Sequence, residues 1–456
     1  MLETQRTTTH CKAEPCDPRS LERGVRQLLA DKISGNLVGL WLLVPEHLRL
    51  GTWDLLRTWT NAAGEHVEPR LAMQLVHEAA LCLTGLRQQR ALSQRGFEVL
   101  NGLPFLASDR AIHSLLAGHT IADAQHLQHA LGKIRQASGQ FGGRLLAVDP
   151  HRLRSYSKRQ MRRQRHDKDC PPAKLAQTFF AIDAETQQPV CFTTGTSSRT
   201  VTNATPELLR LAASILNPQP HATLVLVDAE HFTAELLDHV QGQTHFDLLV
   251  PMPQQRSLQK QLRAIPPDAF TPHWAGYATA QLPYRFRRGR RAPFYQFVQR
   301  QGERPEAWKF NAFLCTADRA EVPTLTDDFP QRWHAEEFFN AHQDLGWDRA
   351  GTPNLNIRYG HMTMALLAQA TVAQLRQRLG EPAADWDAAH LAKAIFQGLE
   401  GDIRVRDKTI LVTYYNAPNT QRLRELYEHV PAKLEQEHIE ARIPWLYDFK
   451  LDFRFR

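Results

Sequence analysis

The sequence has few of the features that stabilise small secreted domains or anchor a protein in a membrane. Its six cysteines are scattered along 456 residues without a CxxC pair, so the pattern predicts neither a disulfide framework nor a zinc site. The best apolar run, at residues 36–45, is too short to span a bilayer, and the first residues lack the apolar segment of a secretory signal. We therefore expect a protein of the reducing cytoplasm that has no membrane anchor.

Lysine is also scarce. Only 12 of the 55 basic residues are lysine, and the formal net charge is +7. Arginine binds phosphate oxygens through a planar fork that lysine lacks, so this composition is compatible with a nucleic-acid partner. A GC-rich genome would also enrich arginine, and the composition alone leaves both interpretations open.

The length predicts two to four domains, or one domain with large insertions, because a single core rarely grows to 456 residues. In residues 1–138, apolar positions recur three and four apart, which predicts an all-helical N-terminal domain. Short helices joined by brief turns are compatible with a DNA-binding helix-turn-helix array, and equally with a plain helical bundle.

The pattern changes after Gly142-Gly143. Short apolar, β-branched or aromatic runs alternate with helical stretches over residues 139–253, which predicts a mixed sheet flanked by helices. Residues 254–325 are rich in proline, arginine and aromatic residues, and we predict that they form a β-rich insertion. We predict that residues 326–380 are helical and form the second part of the core. The remaining residues, 381–456, predict a C-terminal α/β extension whose last strand alternates apolar and charged positions.

Two aspartates follow apolar runs in this sheet region. Asp149 ends LLAVD and Asp228 ends TLVLVD, so each is expected at the C-terminal end of a buried strand, where side chains reach a cleft. A carboxylate in such a place is costly unless it is paired or bound to a metal ion. The alternative is an ordinary aspartate that caps a turn.

A third acid lies in FPQRWHAEEFFNAHQDLG, residues 329–346. Phe329, Arg332, Glu336 and Gln343 are spaced by three, four and seven, so a regular helix would carry them on one face. Glu337 would point about 100° away from Glu336. Periodicity does not decide which of the two glutamates is reactive, and both could be solvated surface residues.

These residues resemble the insertion-sequence DDE transposases of the family-four type, which have a ribonuclease-H-like catalytic core. The motif of that family, Tyr-x2-Arg-x3-Glu-x6-Lys, is matched at Arg332 and Glu336, while Phe329 and Gln343 replace its Tyr and Lys. The runs that end at Asp149 and Asp228 are similar to the strands that carry the family's first two acids. The resemblance covers roughly residues 140–370.

The resemblance implies a metal-dependent transposase in which Asp149, Asp228 and Glu336 are both the catalytic residues and the ligands of two Mg²⁺ or Mn²⁺ ions. Water would free a 3′-hydroxyl at the end of the mobile element, and that hydroxyl would then attack target DNA. The expected partners are double-stranded terminal inverted repeats and target DNA, bound by a homodimer at the bacterial nucleoid. A phenylalanine for tyrosine loses a hydroxyl, and a glutamine for lysine loses a charge.

Basic residues follow the first acid directly. We predict that they hold DNA phosphates beside the catalytic acids, together with a second, aromatic-flanked cluster in the insertion and with Arg332 and Gln343. A solvated charge run is the alternative. The first cluster comprises Arg152, Arg154, Lys158, Arg159, Arg162, Arg163, Arg165 and Lys168, and the second comprises Arg285, Arg287, Arg288, Arg290 and Arg291.

Two other functions remain compatible with the sequence. One is a nuclease with the same core that hydrolyses DNA without joining strands, and the other is a DNA-binding protein derived from an inactive element. Within the insertion, the resemblance suggests that Trp274 or Trp308 holds a base, although core tryptophans are common. His151 and His231 follow the two aspartates closely, where they would either hydrogen-bond those acids or occupy ordinary loops.

Overall fold

The computed structural model describes residues 17–35, 37–62, 67–83, 92, 94–156, 158, 160–165, 170–286, 293–347 and 354–456. The chain divides into two compact units. The first unit combines Met1–Leu115 with Leu367–Arg456, and the second comprises Leu116–Leu366. In the part of the chain that the structure describes, no helix is both long and apolar enough to cross a membrane.

The helices and strands are numbered along the chain. The helices are α1 (Pro18–Ala30), α2 (Val44–Arg49), α3 (Thr52–Trp59), α4 (Glu68–Ala80), α5 (Arg95–Leu100), α6 (Asp109–Gly118), α7 (Ile121–Ala137), α8 (Val201–Leu216), α9 (Ala234–Gln243), α10 (Arg256–Arg263), α11 (His334–His342), α12 (Leu355–Leu379), α13 (Ala388–Leu391), α14 (Thr420–Tyr427) and α15 (Val430–Gln436). The strands are β1 (Ile33–Gly35), β2 (Leu145–Arg154), β3 (Arg163–Gln164), β4 (Ala173–Asp183), β5 (Gln188–Thr196), β6 (Leu224–Leu226), β7 (Asp247–Pro251), β8 (Thr271–Trp274), β9 (Tyr277–Tyr284), β10 (Phe294–Gln301), β11 (Lys309–Cys315), β12 (Gly401–Arg406), β13 (Thr409–Tyr414) and β14 (Lys450–Phe455).

The first unit contains a four-stranded sheet in the order β1-β12-β13-β14. The last strand alternates as predicted, with Leu451, Phe453 and Phe455 buried. The prediction of an all-helical N-terminal domain is wrong, because β1 pairs antiparallel with β12. A strand of three residues is too short to show a two-residue period, so periodicity could not have indicated it.

Side chains from the end of the chain join its beginning within this first unit. The indole nitrogen of Trp445 donates to the carbonyl of Leu100 at 2.9 Å, and the hydroxyl of Tyr414 donates to the carbonyl of Val38 at 3.0 Å. Both tyrosine and tryptophan are buried, so these bonds satisfy polar groups that would otherwise be stranded in the core. The unit is therefore assembled from segments that are far apart in the sequence.

The second unit contains a ten-stranded mixed sheet in the order β3-β4-β2-β6-β7-β11-β10-β9-β8, with β5 paired to β4. Strand β2 runs antiparallel to β4 and parallel to β6, and β6 runs parallel to β7. The predicted mixed α/β arrangement is thus confirmed for this unit. The strands β8 to β11 of the predicted insertion extend the same sheet, because β11 pairs antiparallel with β7.

Helices cover the two faces of β2 and β4. On one face, Val148 and Phe179 belong to an apolar cluster that includes Leu208 and Ile215 of α8. Helix α7 approaches α8 closely at Gly132, where a Cβ atom would lie 2.7 Å from a methyl of Ile215. Close approach of the two helices therefore depends on the missing side chain.

On the opposite face, the ring of Phe180 packs against aromatic residues from α11 and just beyond it. Its centroid lies 5.9 Å from Phe338, 5.5 Å from Phe339 and 5.0 Å from Trp347. Because side chains alternate along a strand, Asp149, which is paired with Phe180, lies on this α11 face. Docking of α11 against β4 thus brings its polar residues next to Asp149.

Strand β2 is longer than predicted. It continues five residues past Asp149, to Arg154, so the expectation that the strand ends at Asp149 is wrong. Pairing of β2 with β6 stops at Ala147, and among the described strands only β4 pairs with the rest of β2. Pro150, which has no N–H to donate, is tolerated there because the β6 side of the strand is open.

Candidate active site

Asp149 and Asp228 lie side by side at one end of the sheet. Ala147 of β2 pairs in parallel register with Leu226 of β6, and each aspartate is two residues further along its chain. The two carboxylates therefore project at the same level from neighbouring segments. This juxtaposition follows from the register of two parallel strands, which bury the leucine-rich segment before each acid.

The Asp228 carboxylate is held by its own turn. It caps the short 3-10 helix Ala229–His231, accepting from the backbone amide of Glu230 at 3.1 Å, and it lies 2.6 Å from Nδ1 of His231. Burial raises the pKa of Asp228, but the hydrogen bond and charge of His231, the Glu230 amide and the Arg332 charge together bring it below the usual value. The structure thus places His231 against the acid. His151 instead stacks on Phe339, with ring centroids 4.9 Å apart.

The side chain of Arg332 links Glu336 to Asp149. Its Nη1 lies 3.5 Å from Oδ1 of Asp149, and its Nη2 lies 3.4 Å from Oε1 of Glu336. Glu337 points elsewhere, with its carboxylate 3.4 Å from Nε2 of Gln187. Of the two neighbouring glutamates, Glu336 is the one that shares an arginine with Asp149.

Negative charge accumulates around Asp149. Burial raises the pKa of its carboxyl group most, the carboxylates of Asp228 and Glu336 raise it further, the charges of Arg332 and Arg152 lower it, and the resulting pKa is about 7. Like charges brought together in a partly desolvated site disfavour one another's ionised form. A perturbed acid in such a cluster is typical of functional sites, although structural networks also produce it.

The donor chemistry of this cluster suits a hard divalent cation, since carboxylate oxygens are the ligands that Mg²⁺ and Mn²⁺ prefer. In the part of the chain that the structure describes, however, no three His, Cys, Asp or Glu side chains are arranged so that they could hold a metal ion. The guanidinium of Arg332 contacts both Asp149 and Glu336, so a cation bound by these two acids would compete with it.

The ends of the predicted motif depart from a single helical face. Residues 329–333 form a 3-10 helix and residues 343–345 form another, so the 100° spacing applies only within α11. The ring of Phe329 packs against that of Phe313, with centroids 4.8 Å apart, and Gln343 is exposed. A straight α-helix from 329 to 343 was expected and is not observed.

The basic residues after Asp149 fall into two groups. Arg152 is only 11 % exposed and is bound by Glu230 through both terminal nitrogens. The other described members, by contrast, are exposed, as is Tyr156 among them at 89 %. These exposed members are Arg154, Lys158, Arg162, Arg163 and Arg165. Arg159, Lys168, Arg287, Arg288, Arg290 and Arg291 lie outside the described residues, and Arg285 is exposed.

The two candidate tryptophans differ in their surroundings. Trp274 is 53 % exposed and stacks on Tyr277 with ring centroids 4.2 Å apart. Trp308 is partly buried and covered by the guanidinium of Arg300, 4.2 Å from its ring centroid. A third tryptophan, Trp333, is 56 % exposed directly beside Arg332 and was missed by sequence reasoning. Its place inside the motif was the available signal.

Comparison with known proteins gives little further guidance. No protein-family model matches this chain, and no curated protein matches it. Among solved structures, the chain is similar to piggyBac transposase in a synaptic complex with hairpin DNA, with 12 % sequence identity and a TM-score of 0.39. That alignment covers 78 % of this chain and 79 % of the other. At this identity and TM-score the likeness carries no conclusion about the activity of this chain.

Proposed function

We propose that this protein is a DNA transposase of the DDE type, with Asp149, Asp228 and Glu336 as its catalytic acids. The observation that carries the proposal is the meeting of three acids that are separated by 79 and 108 positions in the sequence. Asp149 and Asp228 each lie two residues after the paired residues Ala147 and Leu226 of adjacent parallel strands. Arg332 contacts both Asp149 and Glu336. Like charges clustered in a partly buried site are costly for folding, which favours a functional reason for their presence.

Support for a ribonuclease-H-like core comes from the second unit alone. Its sheet is mixed, it carries helices on both faces of β2 and β4, and the two aspartates belong to neighbouring segments that run parallel. The acid-bearing helix α11 packs on the Asp149 face through Phe338 and Phe339. These features are those that the resemblance implies for such a core.

Cleavage of a phosphodiester requires an in-line nucleophile and neutralisation of charge on the phosphoryl oxygens. Asp149, Asp228 and Glu336 would hold two Mg²⁺ or Mn²⁺ ions, which when bound supply that neutralisation and an activated water or 3′-hydroxyl. His231 keeps the Asp228 carboxylate oriented through its Nδ1. Arg332, released from the acids, is placed to bind a phosphate oxygen at the scissile position.

DNA would approach along the exposed cations that follow Asp149. Arg154 lies on the end of β2, Arg163 on β3, and Lys158, Arg162 and Arg165 lie between or beside them, all exposed. Such side chains bind phosphates without reading sequence and hold the duplex in register. The expected complex contains two copies of the protein, because two element ends are joined in one reaction.

The test is cleavage and joining of DNA duplexes that carry the inverted repeats flanking the gene. Asp149→Asn, Asp228→Asn and Glu336→Gln are each expected to abolish Mg²⁺-dependent cleavage while leaving duplex binding intact. Glu337→Gln is the matched control on the next residue of the same helix, and we expect it to stay active. Retained cleavage in any of the first three variants contradicts the role of that residue.

A supplied pre-cut end distinguishes the competing functions. Joined products with a target plasmid support a transposase. Hydrolysis without joining identifies a nuclease of the same core. Sequence-specific binding with no cleavage by the wild-type protein identifies a DNA-binding protein. The replacement of the motif's Tyr and Lys by Phe329 and Gln343 would then help to explain the lack of cleavage.

A further inference from the structure

Backbone pairing between β2 and β6 does not reach the two aspartates of the candidate active site. The β2–β6 ladder ends at Ala147 and Leu226, so Asp149 and Asp228 lie two residues beyond the last paired positions. A side-chain contact spans the gap further along. Arg152, three residues after Asp149, donates from Nη1 to Oε1 of Glu230 at 2.9 Å and from Nη2 to Oε2 of the same carboxylate.

Glu230 connects this contact directly to the second acid. Its side chain binds Arg152, while its backbone amide donates to Oδ1 of Asp228 at 3.1 Å. Moving the Glu230 side chain with Arg152 would therefore shift the amide that orients Asp228. A bidentate arginine–carboxylate pair also fixes angle as well as distance, which a single hydrogen bond does not.

Arg152 is anchored on its other side as well. Its Nε donates to Oε1 of Gln177 at 3.0 Å, and the amide of Gln177 donates to the carbonyls of Thr196 at 2.8 Å and Arg199 at 3.0 Å. Gln177 is buried on β4, directly opposite Arg152. Every nitrogen of the Arg152 guanidinium therefore has a protein partner.

The face of the strand agrees with this internal role. Alternation along β2 places Arg152 on the same side as Val148, which packs in the apolar cluster with α8, and on the opposite side from Asp149. Arg154 has the same orientation but lies at the exposed end of the strand. Arg152 thus differs from Arg154 on the same face, because its side chain is only 11 % exposed and is bonded to protein partners.

We propose that Arg152 and Glu230 form a clamp that sets the separation of Asp149 and Asp228, so that Arg152 is a positioning residue and not a ligand of DNA phosphate. The inference rests on the proposed function. Groups of this kind, which hold metal-binding side chains without touching the ion, typically change metal affinity or activity by about 10–100-fold when removed.

The experiment compares four variants of the full chain: Arg152→Ala, Glu230→Ala, the double variant, and Arg154→Ala as the control on the same strand and face. Two properties are measured. Mn²⁺ affinity without DNA is obtained from water-proton relaxation, and the salt dependence of binding is obtained with a generic DNA duplex. Urea unfolding establishes that each variant is folded under the assay conditions.

A clamp predicts that Arg152→Ala and Glu230→Ala each weaken Mn²⁺ binding about tenfold or more, and that the double variant is no weaker than either. The slope of log affinity against log salt should stay unchanged in Arg152→Ala. Arg154→Ala should show the reverse, a slope smaller by about 0.9 with unchanged Mn²⁺ affinity.

A variant in which the charges of Arg152 and Glu230 are exchanged keeps the ion pair, and so tests the clamp even if the single alanine variants do not fold. Arg152→Glu combined with Glu230→Arg should bind Mn²⁺ more tightly than either single exchange. A smaller salt slope with normal Mn²⁺ affinity in Arg152→Ala would overturn the clamp and make Arg152 a phosphate ligand, and additive effects in the double variant would also overturn it. If Asp149→Asn leaves Mn²⁺ binding of the otherwise wild-type chain unchanged, the proposed function fails and the clamp's role fails with it.

Discussion

The parallel strands of the second unit carry a buried acid near one end and partly buried acids near the other, and the two ends compensate them differently. At the start of β7, Asp247 is 2 % exposed and lies 2.7 Å from Nδ1 of His221 and 2.6 Å from Nη2 of Arg319. Nε of Arg319 donates to it as well, at 2.8 Å. This acid is closed off by two basic side chains at normal hydrogen-bond distances.

The opposite end has the reverse balance. The guanidinium of Arg332 contacts two of the three carboxylates, Asp149 at 3.5 Å and Glu336 at 3.4 Å, and its charge also lowers the pKa of the third, Asp228. Burial and the neighbouring carboxylates raise the pKa of Asp149 to about 7. Burial of an acid does not by itself indicate a functional site, since Asp247 is buried and paired with basic side chains. An excess of acidic over basic groups is the feature that favours a functional site.

The largest difference between the two ends should be catalytic. Under the proposed function, Asp149→Asn removes a catalytic acid, and we expect DNA cleavage to fall by at least about a thousandfold, on the order of 4 kcal/mol in the barrier. Asp247→Asn should leave cleavage per folded molecule within about threefold of wild type. Both rates are measured on the same labelled duplex, and equal losses in the two variants would contradict the comparison.

For the free energy of unfolding we expect the opposite ranking, with the larger loss at the Asp247 end. Arg319→Ala leaves the Asp247 carboxylate buried with one basic partner fewer, and breaking a buried pair costs about 3–5 kcal/mol. Arg332→Ala removes only long contacts at a partly exposed site, and we expect a cost below about 1 kcal/mol. Urea unfolding of both variants measures the contrast, which disappears if Arg332→Ala is as destabilising as Arg319→Ala.

The pH dependence of stability offers a third contrast, measured with EDTA present so that no divalent ion competes. The pKa of Asp149 is raised from 3.8 to about 7 in the folded state, so the folded protein binds this proton more tightly than the unfolded chain does. The free energy of unfolding should therefore fall as pH rises from about 4 to about 7, by up to about 4 kcal/mol from this group. Asp149→Asn should remove that slope, and a slope unchanged in the variant would show that other groups cause it.

Part of this site could be predicted from the sequence. Asp149 and Asp228 follow apolar runs that indicate buried strands, and the structure brings the two acids together by pairing those strands in parallel, although β2 continues to Arg154. The spacing of Arg332 and Glu336 by four residues likewise predicts their contact. Local periodicity carries both pieces of information, so neither depends on knowing the rest of the fold.

The remainder depends on contacts between distant segments. Glu230 lies 78 residues after Arg152, and nothing in either local pattern indicates that the two side chains meet. For the same reason the sequence does not distinguish Arg152, which is bound by Glu230, from its exposed basic neighbours. Strand β2 continues past Pro150 because the β6 side of the sheet is open there, and a one-dimensional pattern does not contain that fact.

The smallest predicted effect concerns Arg332, whose guanidinium contacts two of the acids that are proposed to bind a divalent ion. Because its guanidinium lies between Asp149 and Glu336, binding of a divalent ion at these acids competes with it. Arg332→Ala should therefore strengthen Mn²⁺ binding to the DNA-free protein about tenfold, equivalent to about 1.4 kcal/mol.

The same substitution should weaken duplex binding and reduce its salt slope by about 0.9, since the freed guanidinium would otherwise bind a phosphate. Arg144→Ala is a suitable control, because Arg144 is paired with Glu185 and Asp328 and has no contact with the three acids among the ion pairs of the described residues. Weaker Mn²⁺ binding in Arg332→Ala than in the control would mean that Arg332 orders the carboxylates for the ion. Arg332 would then belong to the assembled ion site, and its charge would have to be counted against those of the three acids.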